Sequence, residues 1–170
     1  MANCLISTAE TKDCEYSFAG LDKLYFANRA DIDSYTVDVN GKITAITMIA
    51  TKKFYKYEFE NNTGSYNEEL VVNAGNKFFR QTVNFTLSGM DQSRVTNMET
   101  LGLSNVVCFA ITKTGVARVF GRNSGLEATA MQVQSGAVEG DVNGVVATLS
   151  GLSKELAPES DASIIDALIV

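Results

Sequence analysis

The sequence has no histidine, no tryptophan, one proline and three cysteines among 170 residues. The missing histidine removes the imidazole base, histidine-held metals and the Ser-His-Asp triad together. Cys4, Cys14 and Cys108 are odd in number and nowhere spaced as CxxC. That pattern supports neither a zinc knuckle nor a complete disulfide framework, and reduced thiols are the expectation. Cations are also few, 14 Lys and Arg against 20 Asp and Glu, for a net charge of −6. Such a balance opposes a general binder of nucleic acid or anionic membrane, because those partners need a basic footprint. No run of ~18 uncharged apolar residues occurs, and the first eight residues carry neither a cationic stretch nor a long apolar one, so neither an export signal nor a membrane span is expected. No GxxxxGK[ST] or GxGxxG motif is present, which leaves no phosphate-cradling loop.

What remains is enough for a packed core. With 45% hydrophobic residues the chain fits one domain, 1–170, of ordinary soluble composition. From residue 24 to about 151 short β-branched and aromatic runs alternate with Gly, Asn and Asp, the pattern of an antiparallel, mainly β protein. The first hairpin joins 35–39 to 42–49 through Asn40-Gly41, a pair suited to a type I′ turn. In 54–59, Tyr55, Tyr57 and Phe59 share one face and Lys56, Glu58 and Glu60 the other. A longer hairpin joins 66–72 to 78–87 around 73–76. Its second strand sets Phe79, Val83, Phe85 and Leu87 against Arg80, Thr82, Asn84 and Thr86, and Gln81 alone interrupts the apolar side.

One helix is expected over 90–101, with Ser88 and Asp91 at capping-box spacing, Gly102 placed to end it, and a narrow stripe of Val95, Met98 and Leu101. Residues 106–111 are apolar on both faces and read as a central strand. Strands at 116–122, 126–134 and 145–151 follow, the last two flanking an exposed loop, 135–144. Residues 1–19 read equally as an arm or a strand. Residues 156–170 end in an apolar run and are expected to dock on something.

Two calcium-like patterns fail on their ligands. Asp38, Asn40 and Gly41 would follow Thr36, with Thr47 in the twelfth place, and Glu139, Asp141, Asn143 and Gly144 would end in Ser150. The bidentate acid is missing from both, and turn chemistry accounts for them better. Cys108, between Val107 and Phe109, reads as a small core residue with no base to activate it. Arg118 and Arg122 alternating with Phe120 read as a solvated or interface face. No catalytic residues, cofactor or metal are expected.

The order of elements, a β-rich first half with a long hairpin, one mid-chain helix, then a strand set around a Gly-rich loop, resembles tail-tube proteins of tailed bacteriophages. The wording that carries it lies at 90–111, at Gly121-Arg-Asn-Ser-Gly-Leu-Glu127, and at 136–155. It is similar to the tail-tube-like proteins of phages of gut Bacteroidetes, including the short-tailed crAss-like group. About two-thirds of the chain is covered. The resemblance implies a tail-tube-like β-sandwich or barrel with one helix and extended loops or arms. It also implies a structural virion protein, made in the host bacterial cytoplasm, that forms a tail tube or neck ring of six or twelve identical subunits. Other tail or neck proteins would be its partners, and double-stranded DNA would pass without specific binding, with no membrane involved. An acidic subunit suits such a lumen, since it repels phosphate.

Under that reading, Asn61, Asn62 and Gly64 in one loop and Asn73 and Gly75 at the hairpin tip are expected to touch neighbours. Ile164, Ile165 and Leu168 belong to a C-terminal arm, 156–170, that grips a neighbour, and Arg80, Thr82, Asn84 and Thr86 face the lumen. The rival is a monomeric β-sandwich recognition module of a fibre or baseplate, an adhesin or carbohydrate binder, with Tyr55, Tyr57 and Tyr66 as a stacking platform.

Overall fold

A computed structural model of the chain describes residues 6, 8–12 and 16–170. Eleven strands and one α-helix are seen among these. They are β1 (Leu21–Asn28), β2 (Ile32–Val37), β3 (Ile43–Met48), β4 (Tyr55–Tyr57), β5 (Ser65–Asn73), β6 (Asn76–Ser88), α1 (Gln92–Leu103), β7 (Val106–Thr112), β8 (Ala117–Phe120), β9 (Glu127–Gln134), β10 (Gly144–Ser153) and β11 (Glu159–Ser160). Short 3-10 helices lie at Arg29–Asp31 and Ala162–Ala167. The protein is mainly β, as expected. Cys4, Cys14 and seven more residues of the 1–19 arm lie outside the described residues, and the described part of that segment forms no strand.

The strands form two sheets, one of seven in the order β2-β3-β11-β8-β7-β1-β4 and one of four in the order β5-β6-β10-β9. Pairing is antiparallel except where Ser160 of β11 lies parallel to Ile43 of β3. The sheets enclose a core of Leu24, Phe26, Cys108 and Phe120 from one side and Val83, Phe85, Val145 and Leu149 from the other, with Met98 and Leu101 of α1 closing it. The opposite face of the larger sheet holds a second core around Tyr25, Val107, Phe109, Val119, Ile43 and Phe54. β7 is buried on both faces because it is shared by the two cores, which is why its sequence runs apolar without alternation. Cys108 is fully buried and burial pushes its thiol pKa up, so it behaves as a small apolar residue.

Three local expectations are corrected. Asn40-Gly41 does not make a two-residue turn. Gly41 N–H donates to Asp38 O (3.2 Å), Asp38 N–H to Lys42 O (2.9 Å), and only Gly41 takes a positive φ, +87°. The loop is therefore three residues long, a tight turn followed by a left-handed Gly, because Asp38 Oδ1 accepts from the Asn40 and Lys42 amides at 2.8 and 2.9 Å. The two-residue turn sits instead at Ala74 and Gly75, with φ +48° and +85° between the paired Asn73 and Asn76. α1 starts on Asp91, whose carboxylate accepts from Arg94 N–H (3.3 Å), and runs through Gly102 to Leu103. Gly102 continues the helix, which breaks at Ser104 where the backbone turns extended.

The alternation in β6 holds from Arg80 to Leu87: Val83, Phe85 and Leu87 are buried, and Arg80, Thr82, Asn84 and Thr86 lie on the outer face, while ahead of them Phe78 and Phe79 are both half-buried. Gln81, the one polar residue on the inner side, is 2% exposed. Its Nε2 donates to Glu68 Oε1 (3.0 Å) and to Glu155 O (3.4 Å), and its Oε1 accepts from Gly121 N–H (3.0 Å). Buried amides persist only when paired in this way. Two predictions follow from these geometries. Gln81→Leu leaves the Gly121 amide and the Glu68 carboxylate short of partners and lowers the unfolding free energy by about 2 kcal/mol in urea titration, with an unchanged m-value. Ala74→Asn relieves a left-handed Ala and raises stability by about 1 kcal/mol in the same assay.

Candidate assembly surfaces

The outward face of the four-stranded sheet is set by the cross-strand register. Directly paired residues share a face in an antiparallel ladder, so Ser65, Asn84, Thr148 and Ala130 form one row and Asn67, Thr82, Ser150 and Glu127 the next. Thr148 Oγ1 donates to Asn84 Oδ1 (2.8 Å), and the hydroxyls of Thr82 and Ser150 stand 3.4 Å apart. The charged groups of this face are Arg80 on β6, whose Nη1 pairs with Glu69 Oε1 of β5 at 2.8 Å, and Glu127 on the edge strand β9. Around Thr82, Asn84, Thr148 and Ser150 the face is made of hydroxyls and an amide, with Val146 beside them between Thr86 and Gln132. Both margins are open: among the described residues β5 pairs only with β6 and β9 only with β10, which leaves two edge strands, nine and eight residues long, each with a row of unpaired backbone groups.

The expected contact residues divide into two groups. Asn61, Asn62, Asn73 and Gly75 are exposed. Gly64 is not: it is buried, a Cβ there would stand 2.3 Å from the Phe59 ring, and its carbonyl accepts from Leu21 N–H (3.1 Å), so it holds β1 within the chain's own fold. The C-terminal segment is a second correction. Ile165 is 1% exposed, and Ile164 and Leu168 pack half-buried beside it on the second core. Phe54 N–H donates to Leu168 O (2.7 Å), and Val170 N–H donates to Phe54 O (3.1 Å). The apolar run therefore packs on its own chain, because the outer face of the larger sheet offers it an apolar seat.

A cleft of about 670 Å³ opens between β4 and α1. Its floor is Phe26, Tyr57, Leu87, Met98 and Leu101, and Tyr55, Lys56, Arg94 and Asn97 stand on its walls. Lys56 Nζ pairs with Glu58 Oε1 at 2.7 Å, which holds the Glu58 carboxyl below its usual range and the Lys56 ammonium above. The three tyrosines do not assemble into one platform. Tyr55 and Tyr57 line the cleft, but Tyr66 lies on the inner face of β5, its ring 4.9 Å from that of Phe120. Sequence alone showed no signal for this cleft, which needs α1 and β4 to meet.

Both calcium-like stretches are turns. Asp141 Oδ2 accepts from the amides of Ala137 (2.8 Å) and Val138 (3.1 Å), which lowers its pKa, and Asp38 is similarly occupied. Arg118 donates to Ala157 O (3.0 Å), and Arg122 pairs with Glu155 at 3.2 Å and lies over the Tyr35 ring. Among the described residues no group of three or more Cys, Asp or Glu could hold a metal ion, and no helix is long and apolar enough to cross a membrane. No protein-family model, curated protein or solved structure matches the chain.

With Ile165 buried in the chain's own second core, Ile165→Ala lowers the unfolding free energy by about 2–4 kcal/mol. The loss measured by denaturant titration is the same at low and high protein concentration; a loss confined to high concentration identifies a neighbour contact instead.

Proposed function

We propose that the chain is a structural subunit of a bacteriophage tail, building a ring or tube through which DNA passes. The observation that carries this reading is the four-stranded sheet, with two open edges and between them a polar face whose cation, Arg80, is paired with Glu69. The four strands alternate in direction, so β5 and β9 run opposite ways. Joining β9 of one copy to β5 of the next therefore keeps the antiparallel ladder unbroken. A head-to-tail contact of that kind closes into a ring when its rotation allows, and closure removes every edge of the sheet. Arg80, Thr82, Asn84 and Thr86 then face the lumen together with Thr148 and Ser150. Hydroxyls and amides, with Arg80 neutralised by Glu69, on a subunit of net charge −6 give DNA phosphates little to hold, so the duplex slides.

The reading is tested by the native mass of the purified chain across a concentration series, with negative-stain images of the same sample. Rings or tubes are expected. A strict monomer at every concentration overturns the proposal and favours a recognition module that uses Tyr55 and Tyr57 in the cleft. A second measurement addresses the lumen. In assembled rings, Thr82→Lys, Asn84→Lys and Thr148→Lys together leave the native mass unchanged but produce salt-dependent retention of duplex DNA in gel shift, where the unsubstituted ring retains none. Failure of the lysines to create binding places that face outside the channel.

A further inference from the structure

The cleft between β4 and α1 has the form of a vacant strand position. β4 is the last strand of the seven-stranded sheet and pairs, among the described residues, only with β1. The C-terminal segment takes the start of its outer edge, where Phe54 N–H donates to Leu168 O (2.7 Å) and Val170 N–H to Phe54 O (3.1 Å); beyond that point, along 56–58, no strand pairs with this edge among the described residues, and an apolar floor with polar walls lies beside it. An extended peptide satisfies such a site: its backbone completes the ladder and alternate side chains enter the floor.

The chain carries a segment of matching form. Tyr16 is 102% exposed and Phe18 75% exposed, a large apolar area standing in water immediately before β1. Their two-residue spacing puts both rings on one face of an extended strand, with Ser17 and Ala19 on the other. The segment cannot serve its own cleft. Its C-terminal end is held where Lys113 N–H donates to Gly20 O (3.2 Å) and Leu21 N–H to Gly64 O (3.1 Å). Tyr57 lies opposite Leu24, so a strand added outside β4 at that level runs roughly 16 Å from Gly20, two strand spacings across and four residues along. The backbone from Phe18 to Gly20 spans at most ~7 Å, and from Tyr16 ~14 Å.

We infer that residues 16–19 of a second copy add as a strand to the free edge of β4, with Tyr16 and Phe18 seated in the cleft against Met98 and Leu101. This rests on the assembly reading above and specifies a contact that reading does not require.

The test uses the full chain with Cys4→Ser and Cys14→Ser, leaving the buried Cys108. One preparation carries Phe18→Cys, and others carry Tyr55→Cys, Asn97→Cys or Thr100→Cys at the cleft wall. Mixing the first with each of the others under mild oxidation is expected to yield a disulfide-linked heterodimer for at least one wall position, in excess of either homodimer. The Phe18→Cys/Asn97→Cys double variant distinguishes the source of the strand: linked multimers support a second copy, and an internally linked monomer overturns it. In the unsubstituted chain, amide exchange at 55–57 slows as protein concentration rises, and Tyr16→Ser/Phe18→Ser abolishes that slowing. Rings that form without cross-linking or protection overturn this inference and leave the ring reading intact. A chain that is monomeric throughout overturns the ring reading itself through its native mass.

Discussion

The passage of the chain from one sheet to the other, at Gly121 to Leu126, holds the rest of the structure in register. Gly121 N–H donates to Gln81 Oε1, which ties the end of β8 to the middle of β6. Leu126 then exchanges both backbone hydrogen bonds with Val106, at 2.9 and 2.7 Å. Gly151 on β10 lies so close to Gly125 that a Cβ there would stand 2.1 Å from the Gly125 carbonyl oxygen. A crossing this tight admits only glycine at the contact, and Gly121 and Gly125 also carry the positive φ angles that let the loop turn within its space. The distance between the sheets, and hence the size of side chain that fits between them, is set here.

The two cores follow from that constraint. Once β8 and β9 are fixed on opposite sheets, β1 and β7 lie between the sandwich interior and the outer apolar face, and the C-terminal segment is the element available to cover the latter. Its cover is cohesive: Ser160 bridges to β3 and β8, and Ile165 enters the core. This leaves the four-stranded sheet as the face turned outward, polar and open at both margins, and β2 and β4 as the end strands of the larger sheet. The open strand edges are thus what the internal packing leaves over.

Much of this was legible in the sequence. The two-residue alternation in β6 identifies its inner and outer faces directly, and the unbroken apolar run at 106–111 marks a strand buried on both sides. The absence of histidine, the turn character of both calcium-like stretches and the β class are equally plain. Other features were not. Asn40-Gly41 satisfies the preference for a two-residue turn better than Ala74-Gly75 does, yet the latter makes it, because β5 and β6 pair over nine residues and impose their register on whatever joins them. An apolar terminus reads the same whether it seats on its own sheet or a neighbour's. Gly64 looks like a loop glycine and is a buried contact beneath Phe59. The cleft has no local signature at all.

The division has a physical basis. Alternation along a strand is dictated by the geometry of consecutive Cβ atoms, so the sequence alone determined which face of each strand is apolar, where the chain turns, and that no imidazole chemistry operates here. The order of strands within a sheet, the seat of the C-terminus, the role of Gln81 and the open edges at β4, β5 and β9 depend on contacts between residues far apart in the chain. Those contacts compete as a sum over the whole packed interior, and only the tertiary structure decides the outcome.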